Sequence, residues 1–135
     1  MDCYICGNDT KVVNSRSQAR LNQVWRRRLC DNCKYIFTTI EKIDLERSMS
    51  VRTDSDTISP FIREKLLISI NNSLGHREDH VSEAVALTDT VISKLQNKYK
   101  NSLISRVGVI ETTQKVLKNF DNTAAVHYSA YHKTI

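Results

Sequence analysis

Cys3-Tyr4-Ile5-Cys6 and Cys30-Asp31-Asn32-Cys33 decide the reading of this chain. They are two C-x2-C pairs separated by 23 residues. Each pair forms a tight knuckle whose two sulfurs can reach one ion at about 2.3 Å, so the four thiolates take the corners of a tetrahedron. The spacing predicts a zinc ribbon holding one structural Zn²⁺ on Cys3, Cys6, Cys30 and Cys33. Four protein ligands fill the coordination shell and leave no position for a reactive water, so the ion is expected to fold the module and not to catalyse. Two disulfides would strain across the two-residue gaps and would suit an exported protein. A redox-active pair would need a βαβ context that is absent here.

The cysteine-bearing module is small, and metal answers that problem. About 45 residues bury too little apolar surface to outweigh chain entropy, so zinc binding is coupled to folding. Residues 11–15, 23–29 and 34–41 are rich in β-branched and aromatic side chains and predict a three-stranded antiparallel ribbon. Trp25 and Tyr35 could stack on bases, but a core role is the expectation for both.

The 135 residues carry 20 Lys/Arg against 15 Asp/Glu, a net charge of +5. The excess is unevenly placed. Between Thr10 and Cys30 the charged residues are Lys11, Arg16, Arg20, Arg26, Arg27 and Arg28, with no acid among them. Such a stretch suits a polyanion and exceeds what is needed to offset a tetrathiolate zinc site of charge −2. By the two-residue period of a strand, Arg26 and Arg28 share one face and Arg27 takes the other. Guanidiniums so placed can meet DNA phosphates and guanine edges.

The pattern changes near residues 46–50. Residues 49–58 suggest a strand or hairpin, and from Ser59 the chain reads as helical. Ser59 is a candidate cap and Pro60 a first-turn residue, with Phe61, Ile62, Leu66, Leu67, Ile70 and Leu74 on one face until Gly75. A second helix from about residue 82 presents Val85, Thr88, Val91, Ile92, Leu95 and Tyr99. A third spans 105–119 with Val109, Ile110, Val116 and Leu117, followed by Phe120. A short fourth spans 122–132 with Ala124, Ala125, Tyr128 and Tyr131. The fold expected is therefore α+β: a zinc ribbon over 1–47, then a small mainly helical domain with an N-terminal hairpin over 48–135. No run reaches the roughly 20 apolar residues that span a bilayer, and the start Met1-Asp2-Cys3 lacks the basic and apolar regions of an export signal. There is no P-loop, glycine-rich dinucleotide turn or H-E-x-x-H, and His76 and His80 read as a solvated helix junction. An enzyme is not expected.

The first 47 residues resemble the zinc ribbon of the NrdR family, bacterial repressors of ribonucleotide reductase genes. Val12-Val13-Asn14-Ser15-Arg16 stands where the family has Val-Val-Asp-Ser-Arg. Arg26-Arg27-Arg28-Leu29-Cys30 matches its Arg-rich run before the second knuckle, and Phe37-Thr38-Thr39 with Glu41 matches Phe-Thr-Thr-x-Glu. The remainder resembles an ATP-cone: Pro60-Phe61, then Arg63-Glu64-Lys65-Leu66-Leu67, Arg77, and an Ala/Tyr-rich end from Asp121 to Tyr131.

The resemblance implies a nucleotide-responsive, DNA-binding repressor of the bacterial cytosol, associated with the nucleoid. Its cone would take ATP or dATP, and its homo-oligomers would place ribbons on paired operator boxes in double-stranded DNA upstream of reductase genes. By the match, Arg16 and Arg26 to Arg28 touch DNA. The chain departs from the family at the entrance to the cone, where Thr53-Asp54-Ser55-Asp56 replaces Lys-Arg-Asp-Gly, leaving Arg52 and Lys65 as the candidate nucleotide-binding cations. Two alternatives stay open: a DNA-binding protein whose cone only mediates oligomerisation, and an adaptor that docks a protein through its cone without nucleotide.

Overall fold

The computed structural model describes residues 1–133. The chain divides into two compact units, Met1–Ile43 and Asp44–Ile135.

The first unit is a three-stranded antiparallel sheet in the order β1-β2-β3: β1 Thr10–Gln18, β2 Gln23–Cys30 and β3 Ile36–Lys42. A 3-10 turn at Ala19–Leu21 reverses the chain, and Asn22 closes it in the left-handed region at φ 48°. Asparagine tolerates that region better than most side chains. The β1–β2 register shifts between Val12 and Asn14, a bulge that inserts Val13. Because side chains alternate with period two, the bulge reverses the phase of every β1 residue beyond it. In this unit only Cys3 and Cys30 are buried. The sheet thus has almost no apolar core of its own.

The second unit begins earlier than the 46–50 boundary read from sequence. Asp44 accepts a hydrogen bond from the Arg47 backbone N–H (3.3 Å) and caps a short helix, α1 Leu45–Ser48. Leu45 packs against the core of the second unit, which includes buried Met49, so these residues belong with it. Next come β4 Ser50–Arg52 and β5 Ile58–Pro60, the expected hairpin. The helix predicted from Ser59 and Pro60 starts later, as α2 Arg63–Ser73. Pro60 instead ends the edge strand β5, opposite Ser50, where its missing N–H costs no ladder bond to a further strand. Phe61 N–H then donates to the Met49 carbonyl (3.0 Å) and prolongs the pairing.

α3 His80–Lys98, α4 Arg106–Phe120 and α5 Asn122–Tyr131 complete the unit. The buried stripe of α3 runs through Ala84, Leu87, Thr88, Val91, Ile92 and Leu95, so Ala84 takes the inward position expected of Val85, which is 38% exposed. Tyr99 is partly buried against the core, whereas Phe120 and Tyr131 stay exposed. Between α3 and α4 lies a strand the pattern does not reveal, β6 Leu103–Ser105, pairing parallel to β4. Ser105 ends it and caps α4 by accepting from Gly108 N–H (3.0 Å). A Cβ on Gly108 would overlap the Tyr99 hydroxyl, so any larger residue here would force the Tyr99 ring to move. Phe61, Leu66, Ile70, Leu74, Val91, Leu95, Ile104, Leu117 and Tyr128 form one core between the small sheet and the helices. The buried hydroxyls of Thr88 and Thr113 donate to the carbonyls of Ala84 and Val109, so they enter this core without an unpaired polar atom. No helix among the described residues is long and apolar enough to cross a membrane.

Candidate metal centre and nucleic-acid interface

The two knuckles are built alike. Gly7 N–H donates to the Cys3 carbonyl (2.8 Å) and Lys34 N–H to the Cys30 carbonyl (2.9 Å). Cys3 N–H donates to Asn8 O (2.7 Å) and Cys30 N–H to Tyr35 O (3.0 Å). Gly7 and Lys34, each four residues after the first cysteine of its pair, share the left-handed conformation at φ 73° and 61°. This wrap turns both thiols of a pair toward one point. Gly7→Ala is expected to lower the stability of the zinc-loaded ribbon by about 1 kcal/mol, read from its denaturation midpoint. A methyl there would meet nothing within 4 Å, so the cost is conformational and not steric.

All four sulfurs lie within 4.8 Å of one another. Cys3 Sγ is 3.6 Å from Cys33 Sγ and Cys6 Sγ is 3.5 Å from Cys30 Sγ. A tetrahedron of bonds about 2.3 Å long has edges of about 3.8 Å, so this cluster has the dimensions of a tetrathiolate zinc site. Its electrostatics ask for a cation too. The Asn8 side-chain amide donates to Cys6 Sγ (3.3 Å) and, with backbone N–H of Asn8 and the Asn32 side chain, holds that thiol down to about 5. Tyr35 N–H favours the Cys33 thiolate, but desolvation and the three neighbouring sulfurs outweigh it and push that thiol up to about 12. Four sulfurs at this separation cannot all ionise unless a dication offsets their repulsion. The residues therefore fit Zn²⁺, which would be held by Cys3, Cys6, Cys30 and Cys33 and would supply structure alone.

The basic residues fall into distinct environments. Arg26 lies opposite Ser15 and Thr39; its Nη1 donates to Ser15 Oγ (3.0 Å) and its Nη2 to Glu41 Oε2 (2.8 Å). Arg28 sits over Thr39 (3.4 Å) and Thr10 (3.5 Å), half-buried. Lys11 pairs with Asp31 (2.8 Å) and, with Lys34, holds that carboxyl below its ordinary range. Arg16, Arg20 and Arg27 are exposed and make no side-chain hydrogen bond or ion pair among the described residues. Trp25 is half-buried on the sheet. Tyr35 is not a core residue: it joins Tyr4 and Phe37 in an open aromatic cluster, with ring centroids 5.2 to 6.3 Å apart. A module with no apolar core has nowhere to bury it.

In the second unit the candidate nucleotide cations are divided. Lys65 is exposed in the first turn of α2, without a side-chain partner among the described residues. Arg52 faces Asp56 (3.6 Å). Arg106, adjoining Ser105, the register partner of Arg52, bonds Asp54 (2.6 Å). The acidic turn 53–57 thus supplies its own carboxylates to two neighbouring arginines. Sequence reasoning missed Arg106 because β6, which brings it beside Arg52, has no local signature.

Sequence reasoning also missed a polar hub. Arg77 donates to both Glu83 oxygens (2.6 and 2.8 Å) and to Asp121 Oδ2 (3.0 Å), and its guanidinium lies 4.7 Å from the Phe120 ring centre. His76 Nε2 meets the same Asp121 oxygen (2.9 Å), and Asp121 Oδ1 caps α5 by accepting from Ala124 N–H (3.1 Å). His80 Nδ1 lies 2.7 Å from Asn71 Oδ1. The junction read as solvated is in fact tied down, because two chain reversals meet there.

Comparison with known proteins agrees with this architecture. Residues 1–41 match the family described as "Transcriptional repressor NrdR-like, N-terminal domain". Over the longer span, the chain is 31% identical to the Transcriptional repressor NrdR of Halomicrobium mukohataei, across 98% of this chain and 82% of the relative. It is 32% identical to that of Phenylobacterium zucineum, with 98% and 85% covered. For the repressor of Maricaulis maris the identity is 34%, with 98% and 82% covered.

Proposed function

Since the chain belongs to the NrdR family of transcriptional repressors, we propose that it represses ribonucleotide reductase genes by binding their upstream DNA through the zinc ribbon, in response to ATP or dATP. At the coarser level it is a zinc-dependent transcriptional repressor and not an enzyme. The observation that carries the proposal is likeness to these repressors over 98% of the chain, joined to a four-sulfur cluster of zinc dimensions. The ribbon, whose basic residues are Lys11, Arg16, Arg20, Arg26, Arg27 and Arg28, supplies the positive surface for double-stranded DNA. The second unit serves as the nucleotide-responsive and oligomerising part, with Arg52 and Lys65 toward the phosphates. The protein acts in the cytoplasm, at the nucleoid.

One observation favours a second reading of the cone. Asp54 and Asp56 already occupy Arg106 and Arg52, and a triphosphate would have to displace them against their own negative charge. In that reading the unit mediates assembly without nucleotide.

Both are tested on the full-length, zinc-loaded chain. Retention of a reductase upstream fragment over a random duplex, with affinity falling steeply as salt rises, is the expected result. Equal affinity for the two duplexes would remove the reductase assignment. Calorimetric titration with ATP and dATP separates the readings of the cone: heat of binding supports the nucleotide-responsive repressor, and its absence supports the assembly module.

A further inference from the structure

The cross-strand register sorts the ribbon's side chains onto two faces, since directly opposed residues point the same way. One face carries the rows Arg16–Trp25–Ile40 and Asn14–Arg27–Thr38, flanked by Lys11 and Lys42. The other carries Ser15–Arg26–Thr39 and Val12–Arg28–Phe37, with Glu41 at its end. The strand residues of the first face include four cations and no acid, although Lys11 at its edge is paired with Asp31 of the second knuckle (2.8 Å). Those of the second include two cations and one acid. The bulge at Val13 makes this division, for without it Arg16 would share a face with Arg26 and Arg28.

The two faces also differ in how their polar groups are used. On the second, Arg26 is committed to Glu41 and Ser15, and Arg28 to Thr39 and Thr10. On the first, Arg16, Arg27, Asn14, Thr38 and Lys42 are exposed and have no side-chain partner among the described residues. Arg16 and Arg27 are diagonal neighbours, about 7–8 Å apart at their Cα atoms by sheet geometry, with Trp25 directly opposite Arg16.

Resting on the DNA-binding reading above, we propose that duplex DNA lies against the Arg16–Arg27 face, and that Arg26 and Arg28 are positioning residues that hold the strands in register. The major groove of B-form DNA admits a two-stranded β-ribbon, and β1 with β2, which carry Arg16 and Arg27, form such a pair within the sheet. In that groove, Arg16, Arg27 and Lys42 meet phosphates or guanine edges, Asn14 and Thr38 offer hydrogen bonds to base edges, and exposed Ile40 faces thymine methyls. The opposite face would bring Glu41 toward the phosphates and would require Arg26 to give up its carboxylate first.

Salt dependence distinguishes contact from support, because each phosphate contact adds about 0.9 to the slope of log affinity against log salt, whereas a structural role does not. The full-length zinc-loaded chain is titrated with a 30-base-pair random-sequence duplex, roughly three helical turns, and with a reductase upstream fragment. Arg16→Ala/Arg27→Ala is expected to lose about tenfold or more in affinity and to shed about two units of slope, with zinc content and unfolding midpoint unchanged. Arg26→Gln/Arg28→Gln is expected to lower the unfolding midpoint of the ribbon and to keep the wild-type slope. Slope lost only in the Arg26/Arg28 variant, or equally in both, overturns the assignment of the face. A wild-type chain showing no salt-dependent binding to either duplex overturns the DNA reading itself. Charge-retaining Arg16→Lys/Arg27→Lys keeps the slope if the contacts are to phosphate, and loses it only if the double alanine variant failed for another reason, which also overturns the assignment.

Discussion

Cys30→Ser is expected to unfold the ribbon and abolish DNA binding, while the helical unit keeps its own unfolding transition. Cys30 is wholly buried, and only Cys3 joins it as a buried residue before Ile43. The strands therefore lack the apolar interior that ordinarily outweighs chain entropy. Structural zinc contributes apparent binding energies of about 10–16 kcal/mol in comparable small modules, so loss of one of four thiolates removes most of what holds β1, β2 and β3 together. Circular dichroism during denaturation would show the strand signal gone and one transition left. A chelator acting on the native chain should reproduce that state, and restored Zn²⁺ should reverse it only when Cys30 is present. A Cys30→Ser chain that retained a folded sheet and DNA affinity would mean that the metal is not what folds the ribbon.

Asp121→Ala is expected to destabilise the helical unit by about 2 kcal/mol, because one carboxylate serves three partners. It caps α5, meets His76, and shares Arg77 with Glu83. Loss of a cap alone costs about 1 kcal/mol, and leaving a half-buried guanidinium short of a partner adds to that. The pH dependence follows from the same contacts. The His76 ring, the Ala124 N–H and Arg77 hold the Asp121 carboxyl far below the usual carboxylate range. A depressed carboxyl stabilises the folded state fully above its unfolded value of about 4, and that stabilisation drains away as the pH falls toward the depressed folded value. Wild type should lose more stability than Asp121→Ala between pH 5 and pH 2, roughly the window in which an unfolded carboxyl takes up its proton. Parallel unfolding curves over that interval would show that Asp121 contributes no ionic stabilisation.

Much of this was legible in the chain itself. The paired C-x2-C knuckles announced the metal site, because zinc ligation depends on short local spacing that needs no knowledge of distant residues. The strands around Trp25 and Ile40 and the helical stripes through Ile70, Val91 and Leu117 were legible for the same reason: hydrophobic periodicity is a local property. What went unread was settled at a distance. β6 is three residues long and becomes a strand only by lying parallel to β4. Pro60 suited a helix start by local preference, but pairing with Ser50 placed it in a strand. Arg77 and Asp121 are 44 residues apart, and no pattern links them until the helices pack.

Sequence alone determined that the ribbon holds four thiols for one ion, that it carries an acid-free basic stretch, and that Arg27 faces away from Arg26 and Arg28. Only the tertiary structure decided which side Arg16 joins, and which arginines are already committed to the protein. Alternation along a strand is dictated by backbone geometry within one residue of each side chain. The phase of β1 depends instead on Val13 being left unpaired against β2, a consequence of cross-strand hydrogen bonding that no single strand encodes.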